Sequence, residues 1–229
     1  MVEINGRANI KLYNQDCMPA LEDMEENEYS LAITDPPYGG GNNEDWEGKD
    51  RSRFDGRFDK YKIERTGGDW AEKYGKEINH WDTPPSDEYF EQLFKISKNQ
   101  IIWGGNYYEL PPNRCFLIWR KLTISEDFSM AMCEYAWSSF DDNAKWIEIA
   151  PQNSNRFHPT QKPVKLYKWL LKNYAEEGDK ILDTHLGSMS IAIACWDMGY
   201  DLVGYEIDED YFEKGVKRVK QHTNQMKLF

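Results

Sequence analysis

The sequence predicts a doubly wound α/β fold on a mostly parallel sheet, and three observations carry that prediction. The final third alternates helical and strand periodicity without a break. Two of its strands end in carboxylates, Asp183 and Glu206, shortly before helices, the order in which parallel sheets with helices on both faces are wound. The chain is also long enough to fill such a core. Its 229 residues are 40% hydrophobic and 30% charged, and nine tryptophans, fourteen tyrosines and ten phenylalanines exclude global disorder.

In chain order, a strand is expected at residues 9–13, a short helix at 18–24 and an apolar strand at 29–34. That strand stops at Asp35-Pro36-Pro37-Tyr38-Gly39-Gly40-Gly41, where two prolines cannot continue a ladder and three glycines cannot hold a helix. Residues 42–81 are polar and lack helical period, a length of irregular chain that compact domains reserve for function. The expected organisation is one domain over 1–229 with 39–81 as an inserted loop. A helix capped by Ser86 runs to Lys98 with Tyr89, Phe90, Leu93 and Phe94 on one face. Strands follow at 100–103, 115–119, 133–138 and 145–149. A helix opened by Pro163 buries Val164, Tyr167, Leu171 and Tyr174. Then come a strand at 180–183, a helix at 188–198, a strand at 201–206 and a helix at 209–221.

No apolar run approaches the ~18 residues of a membrane span, and the first residues lack the apolar stretch of a secretory signal. A cytoplasmic protein is expected. Cys17, Cys115, Cys133 and Cys195 show no Cys-x-x-Cys spacing, which fits reduced thiols rather than a disulfide frame or zinc site. No metal is expected.

In open α/β sheets the working residues sit on loops leaving the carboxyl ends of strands. After Asp183 the chain runs Thr184-His185-Leu186-Gly187-Ser188 into a helix, so backbone amides meet an acid and a glycine that permits close approach. Glu206 ends the next strand where a carboxylate accepts ribose hydroxyls. The single glycine of the 183–190 turn does not make the Gly-x-Gly-x-x-Gly of a dinucleotide site. An adenosine cofactor without phosphates fits better, and S-adenosylmethionine is the candidate. The Asp35-Pro36-Pro37-Tyr38 loop suits attack by an aromatic amine, whose lone pair is delocalised into its ring. Asp35 and the Pro36 carbonyl can accept both amine hydrogens, the prolines fix the loop, and Tyr38 can stack on the base.

These residues resemble the amino-group DNA methyltransferases of the permuted, beta-type order, in which the catalytic Asp-Pro-Pro-Tyr motif precedes the cofactor motif. The resemblance implies a single Rossmann-like, S-adenosylmethionine-dependent methyltransferase domain of circularly permuted motif order, acting on the N6 amine of adenine. Leu31 to Tyr38 is a full catalytic motif. Asp16 and Cys17 match the turn whose acid holds the adenine amine of the cofactor, with Gln15 in place of the family's glycine. Gln100 to Tyr107 resembles the wall of the base pocket. His158, Thr160 and Lys162, in Phe157-His158-Pro159-Thr160-Gln161-Lys162-Pro163, match the segment facing the methionine carboxylate. Asp183, His185, Gly187 and Ser188 form the cofactor loop, and Glu206 with Ile207 the ribose edge. Thr184, His185 and Met189 replace the proline, the aromatic and the last glycine of the family's cofactor loop.

The net charge of −12 argues against a polyanionic partner until it is resolved along the chain. Residues 1–47 hold eleven acids against two bases, whereas 48–65 hold seven bases against four acids. There Arg51, Arg53, Arg57, Lys60 and Lys62 interleave with Phe54, Phe58 and Tyr61, a composition suited to phosphate contacts around a flipped nucleotide in double-stranded DNA. Arg156, Lys162, Lys165, Lys168 and Lys172 form a second basic set. The family's recognition domain falls between Ser138 and His158, and only about twenty residues stand there, so sequence reading falls on the 39–81 loop. The ending Gln225-Met226-Lys227-Leu228-Phe229 resembles the peptide by which bacterial replication proteins dock on the sliding clamp, with Leu228 and Phe229 as anchors. The charge balance predicts weak non-specific affinity, salt sensitivity at one face, and a need for the tail or a second subunit in a homodimer. A restriction-modification or phage setting goes with the resemblance. Three other readings stay open: an N4-cytosine methyltransferase, a non-catalytic DNA- or clamp-binding module with a decayed cofactor loop, and a Rossmann oxidoreductase, which the missing glycines disfavour.

Overall fold

A computed structural model describes residues 1–38, 83–125, 131–151 and 156–225. Within them the chain forms β1 (Val2–Asn5), β2 (Asn9–Asn14), α1 (Met18–Glu22), β3 (Tyr29–Thr34), α2 (Asp87–Ile96), β4 (Ser97–Trp103), β5 (Phe116–Arg120), β6 (Cys133–Ser138), β7 (Lys145–Glu148), α3 (Val164–Tyr174), β8 (Lys180–Asp183), α4 (Ser190–Met198), β9 (Asp201–Glu206) and α5 (Glu209–Gln225). The strands make one sheet in the order β1-β2-β9-β8-β3-β4-β6-β5-β7. Strands β2, β9, β8, β3 and β4 run parallel, while β1 and β6 are antiparallel to their neighbours. This is the expected doubly wound, Rossmann-like architecture, with β1 antiparallel at one edge and β6 antiparallel between β4 and β5 toward the other, where β7 runs parallel to β5.

Alternation along each central strand feeds two cores. Leu31, Ile33, Ile101 and Ile181 pack with Leu166, Leu170, Ile191, Ala194 and Val219 on the face covered by α3, α4 and α5. Ala32, Ile102, Leu182 and Val203 pack with Leu21, Tyr89, Leu93 and Ile96 on the face covered by α1 and α2. Helix α4 is buried from Ser190 to Trp196, as a helix flanked by two others must be.

Contacts divide the chain into two units, Met1–Pro36 with Pro85–Phe229, and Pro37–Pro84. The first holds every element named above. Of the second, the described residues are Pro37, Tyr38, Thr83 and Pro84, so the DNA-contact candidates Arg51, Arg53, Arg57, Lys60 and Lys62 lie outside the described residues. No helix among the described residues is long and apolar enough to cross a membrane. All four cysteines are free thiols, with Cys133 alone exposed.

The structure departs from the sequence expectations at several element ends. Strand β1 was not expected, because four residues with one buried side chain, Ile4, carry no readable period. Ser86 does not cap α2 through its side chain; Asp87 and Glu88 supply the favourable charge in the first turn instead. Helix α2 ends at Ile96 rather than Lys98 and passes straight into β4, with Ser97 Oγ donating to the Leu93 carbonyl at 2.5 Å. Helix α5 continues past residue 221 to Gln225, which therefore belongs to the helix, while Leu228 and Phe229 lie outside the described residues.

Helix α4 begins at Ser190 rather than 188 because Met189 takes a left-handed conformation, φ 58°. Its side chain is fully buried, and Gly215 of α5 makes room for it: a Cβ there would sit 2.7 Å from Met189 Cγ and Sδ. A left-handed non-glycine residue costs of order 1 kcal/mol or more, and packing of the thioether offsets it. Met189→Gly relieves the strain and loses the packing; Met189→Ala loses the packing and keeps the strain. Alanine is thus expected to be the less stable variant by about 1 kcal/mol in chemical denaturation, the reverse of the usual order.

Candidate active site

Strands β3 and β8 are neighbours, yet β3 leads on to β4 on one side and β8 to β9 on the other. This is a topological switch point, where the carboxyl ends of two strands diverge and leave a crevice. The chain there places Thr34-Asp35 beside Asp183-Thr184, and the hydroxyls of Thr34 and Thr184 lie 2.7 Å apart.

Two of the three residues that depart from the usual cofactor loop, Thr184 and His185, are tied into a buried polar cluster. Thr184 Oγ1 is 2.6 Å from the Tyr89 hydroxyl and 2.9 Å from His185 Nδ1, and Thr34 Oγ1 lies 3.3 Å from the same ring nitrogen. Tyr89 meets the His185 ring edge-on at 5.5 Å. Burial pushes the imidazole down to about 4, so it is neutral at physiological pH.

The carboxylates at the strand ends are held by backbone amides. His185 N–H donates to Asp183 Oδ1 at 2.9 Å, Gly187 N–H to Glu206 Oε2 at 2.7 Å, and Asp208 N–H to Glu206 Oε1 at 2.9 Å. Burial dominates both acids. It pushes Asp183 up to about 8, the nearby Asp35 and Glu206 adding to the shift, and Glu206 up to about 7. Gly187 has φ 48°, and a Cβ there would meet the His158 ring at 3.2 Å, so this turn needs glycine on both counts. His158 itself packs edge-on against Tyr211 at 4.3 Å and accepts at Nδ1 from Thr160 N–H at 3.3 Å. Ser188 is buried with its carbonyl bonded to Arg218 Nη1 at 2.6 Å. Asp16 is exposed and accepts Met18 N–H at 3.0 Å just ahead of α1, while burial raises the Cys17 thiol to about 12. Gln15 N–H bonds the Glu206 carbonyl at 3.1 Å, which brings the Asp16 turn to the end of β9, where Ile207 stands 58% exposed.

Asp35 and Pro36 are engaged on their inner sides. The Lys162 ammonium contacts Asp35 Oδ2 and lies 3.1 Å from Glu134 Oε2, and Lys121 Nζ lies 2.7 Å from Glu134 Oε1. The Pro36 carbonyl accepts from the Tyr108 hydroxyl at 2.8 Å; it was expected to be free for substrate, and only its second lone pair is left for that. Lys162 was also counted in a basic surface set, and the structure corrects this: its side chain is 2% exposed, because two carboxylates and the Trp103 ring 5.3 Å away enclose it.

A family model for N6/N4 DNA methylases matches residues 70–217, well over half of the chain. The chain belongs to the N6/N4 DNA methylase family. Across 243 aligned residues this methylase is 23% identical to the type II methyltransferase M.HpaI of Haemophilus parainfluenzae, covering 93% of this chain and 75% of that relative. Its fold is similar to the crystal structure of the M1.HpyAVI–SAM complex, with TM-score 0.54 and 17% identity over 91% of this chain and 99% of that one. It is likewise similar to the cytosine-N4-specific PvuII DNA methyltransferase, with TM-score 0.56 and 13% identity over 95% and 92% of the two chains.

Sequence reading missed several residues that the structure joins to this candidate site: Tyr89, Tyr108, Lys121 and Glu134. Tyr108 follows the Gly104-Gly105-Asn106-Tyr107 turn directly, and one more residue of that motif would have included it. Glu134 carried a signal too, an acid inside the otherwise uncharged strand Cys133-Glu134-Tyr135-Ala136-Trp137. Lys121 and Tyr89 carried none.

Proposed function

We propose that this methylase transfers a methyl group from S-adenosylmethionine to the N6 amine of adenine in double-stranded DNA, with the base extruded from the duplex. The observation that carries this reading is the meeting, at one switch point, of the Asp35-Pro36 pair of acceptors with the Asp183 and Glu206 strand ends. Acceptors for an amine stand beside acceptors for an adenosine.

The residues fit the cofactor. Glu206 is a buried carboxylate at a strand end, Gly187 leaves space that a side chain would fill, and Ile207 presents an exposed apolar surface. Gln161 Nε2 is a buried donor with no hydrogen-bond partner among the described residues, as a carboxylate-binding group would be before its ligand arrives. On this reading Glu206 takes the ribose hydroxyls, Asp16 the adenine amine, and the 158–161 segment the methionine carboxylate. When bound, the cofactor supplies an electrophilic methyl group on a positively charged sulfur that departs as a neutral thioether. Asp35 and the Pro36 carbonyl accept the two amine hydrogens, which turns the nitrogen lone pair out of the ring system, and Tyr38 stacks on the base. The new nitrogen–carbon bond leaves the nitrogen positively charged until it loses one hydrogen as a proton. Asp rather than Ser at position 35 favours adenine over cytosine.

The test is incubation with labelled cofactor and mixed-sequence DNA, followed by digestion to nucleosides. N6-methyladenine supports the reading, N4-methylcytosine replaces it, and the absence of a methylated nucleoside points to a binding module. Cofactor binding also carries a pH signature. An ionised Glu206 accepts both ribose hydroxyls and a protonated one does not, so calorimetric affinity is expected to rise as pH is raised through about 7. Glu206→Gln should bind more weakly above pH 7 and lack that rise.

A further inference from the structure

The four charges behind the amine site form an alternating row: Asp35, Lys162, Glu134, Lys121. Three features separate this row from an ordinary surface ion pair. Lys162 and Lys121 are 2% and 8% exposed in their side chains, so neither ammonium is solvated in the usual way. The partners come from different parts of the sheet: Asp35 leaves β3, Glu134 lies in β6, Lys121 follows β5, and Lys162 precedes α3. The Lys162 ammonium also stands over the fully buried Trp103 ring of β4, 5.3 Å from its centroid. A lysine stem fixed on so many sides has little freedom to turn toward another partner.

We propose that Lys162 is a positioning residue for Asp35: it fixes one carboxylate oxygen and with it the plane in which the carboxylate meets the substrate amine, and Glu134 with Lys121 anchors it. This rests on the reading of Asp35 as the acceptor for that amine. Asp35 Oδ2 is the oxygen that Lys162 contacts. A carboxylate held at one oxygen cannot rotate to offer its lone pairs elsewhere, and its alignment is set before substrate arrives. Tyr108 does the same for the neighbouring acceptor by donating to the Pro36 carbonyl at 2.8 Å. Each acceptor is thus held from behind by a donor. Lysine suits this place because the ammonium carries three donors, enough to serve two carboxylates on different strands. Burial works against its charge, but the carboxylates of Asp35 and Glu134 outweigh burial and keep it protonated.

The assignment differs from the one the sequence suggests for Lys162, a contact to the methionine carboxylate, and steady-state kinetics with cofactor calorimetry separates the two. For Lys162→Met a fall in kcat of about 100-fold is expected, with KM for DNA and Kd for S-adenosylmethionine within about threefold of the unmodified protein. Lys162→Arg, which restores the charge, should recover at least about a tenth of kcat. A Lys162→Met protein with near-normal kcat at saturating cofactor, or one whose main defect is a tenfold or greater loss of cofactor affinity, overturns the proposal. Should that variant fail to fold, Glu134→Gln releases the anchor while keeping the Asp35 contact: lowered kcat at unchanged cofactor affinity supports the proposal, and unchanged kcat overturns it. An unmodified protein that transfers no methyl group ends the functional reading and this inference together. One that transfers normally beside an equally active Lys162→Met ends only this inference.

Discussion

Asp35→Ala is expected to lower methyl transfer by about 10³-fold while cofactor affinity changes little. Removing one pre-oriented electrostatic partner of a reacting group costs about 10²–10³ in kcat, and the upper end applies because Asp35 both aligns the amine and localises its lone pair. The loss should appear in kcat rather than in KM, since the interaction strengthens as the nitrogen gains positive charge. The fold should persist, because the Lys162 ammonium keeps Glu134 at 3.1 Å and is not left alone in the interior. Asp35→Asn is the finer probe. Its amide oxygen can still accept one hydrogen, but its NH2 facing Lys162 would set donor against donor, so an intermediate rate is expected only if the amide turns its oxygen outward. Single-turnover measurement with labelled cofactor, beside calorimetric Kd values, checks both variants; a normal rate for Asp35→Ala removes Asp35 from the chemistry.

Much of the fold was legible because burial on a two-sided parallel sheet forces apolar runs that end in turn residues. Strands β3, β8 and β9 showed that pattern, and the acids at 35, 183 and 206 stood where such strands end. The switch point then follows from strand order, which the alternation alone does not reveal: β8 could have paired elsewhere with the same apolar content. What escaped was pairing across long separations. Lys162 lies 127 residues from Asp35, and in one dimension it is another lysine near a basic helix. The departures at Thr184 and His185 look like decay when set beside the family pattern. In three dimensions they meet Thr34 and Tyr89 in a hydroxyl cluster whose partners no local window contains. Met189 is the same lesson for the backbone: a left-handed methionine is unreadable until Gly215 is seen beside it.

Glu134→Ala is expected to destabilise the protein by about 3 kcal/mol, because it leaves Lys121 without its carboxylate and takes one of two from Lys162. The estimate sits at the low end for a broken buried pair, since the Glu134 side chain is 24% exposed and Lys162 keeps Asp35. Replacing both members, Lys121→Met with Glu134→Met, should recover most of that loss, as apolar groups of similar volume need no compensating charge. Glu134→Met alone separates an uncompensated ammonium from a lost packing contact, because it refills the volume and keeps Lys121: if it is as stable as the double variant, packing is the cause. The pH dependence gives an independent check. Burial alone would raise the Glu134 carboxyl, but the ammonium groups of Lys162 and Lys121 outweigh it and hold the group below its ordinary value. Its contribution is therefore fully present above the unfolded value of about 4.3, and it is lost as pH falls through the lower folded value, where the unfolded chain binds the proton first. Denaturant midpoints measured from pH 6 down to pH 3 should fall more steeply for the unmodified protein than for Glu134→Gln, which has no proton to take up; parallel curves would show that the carboxylate is not stabilised by its neighbours.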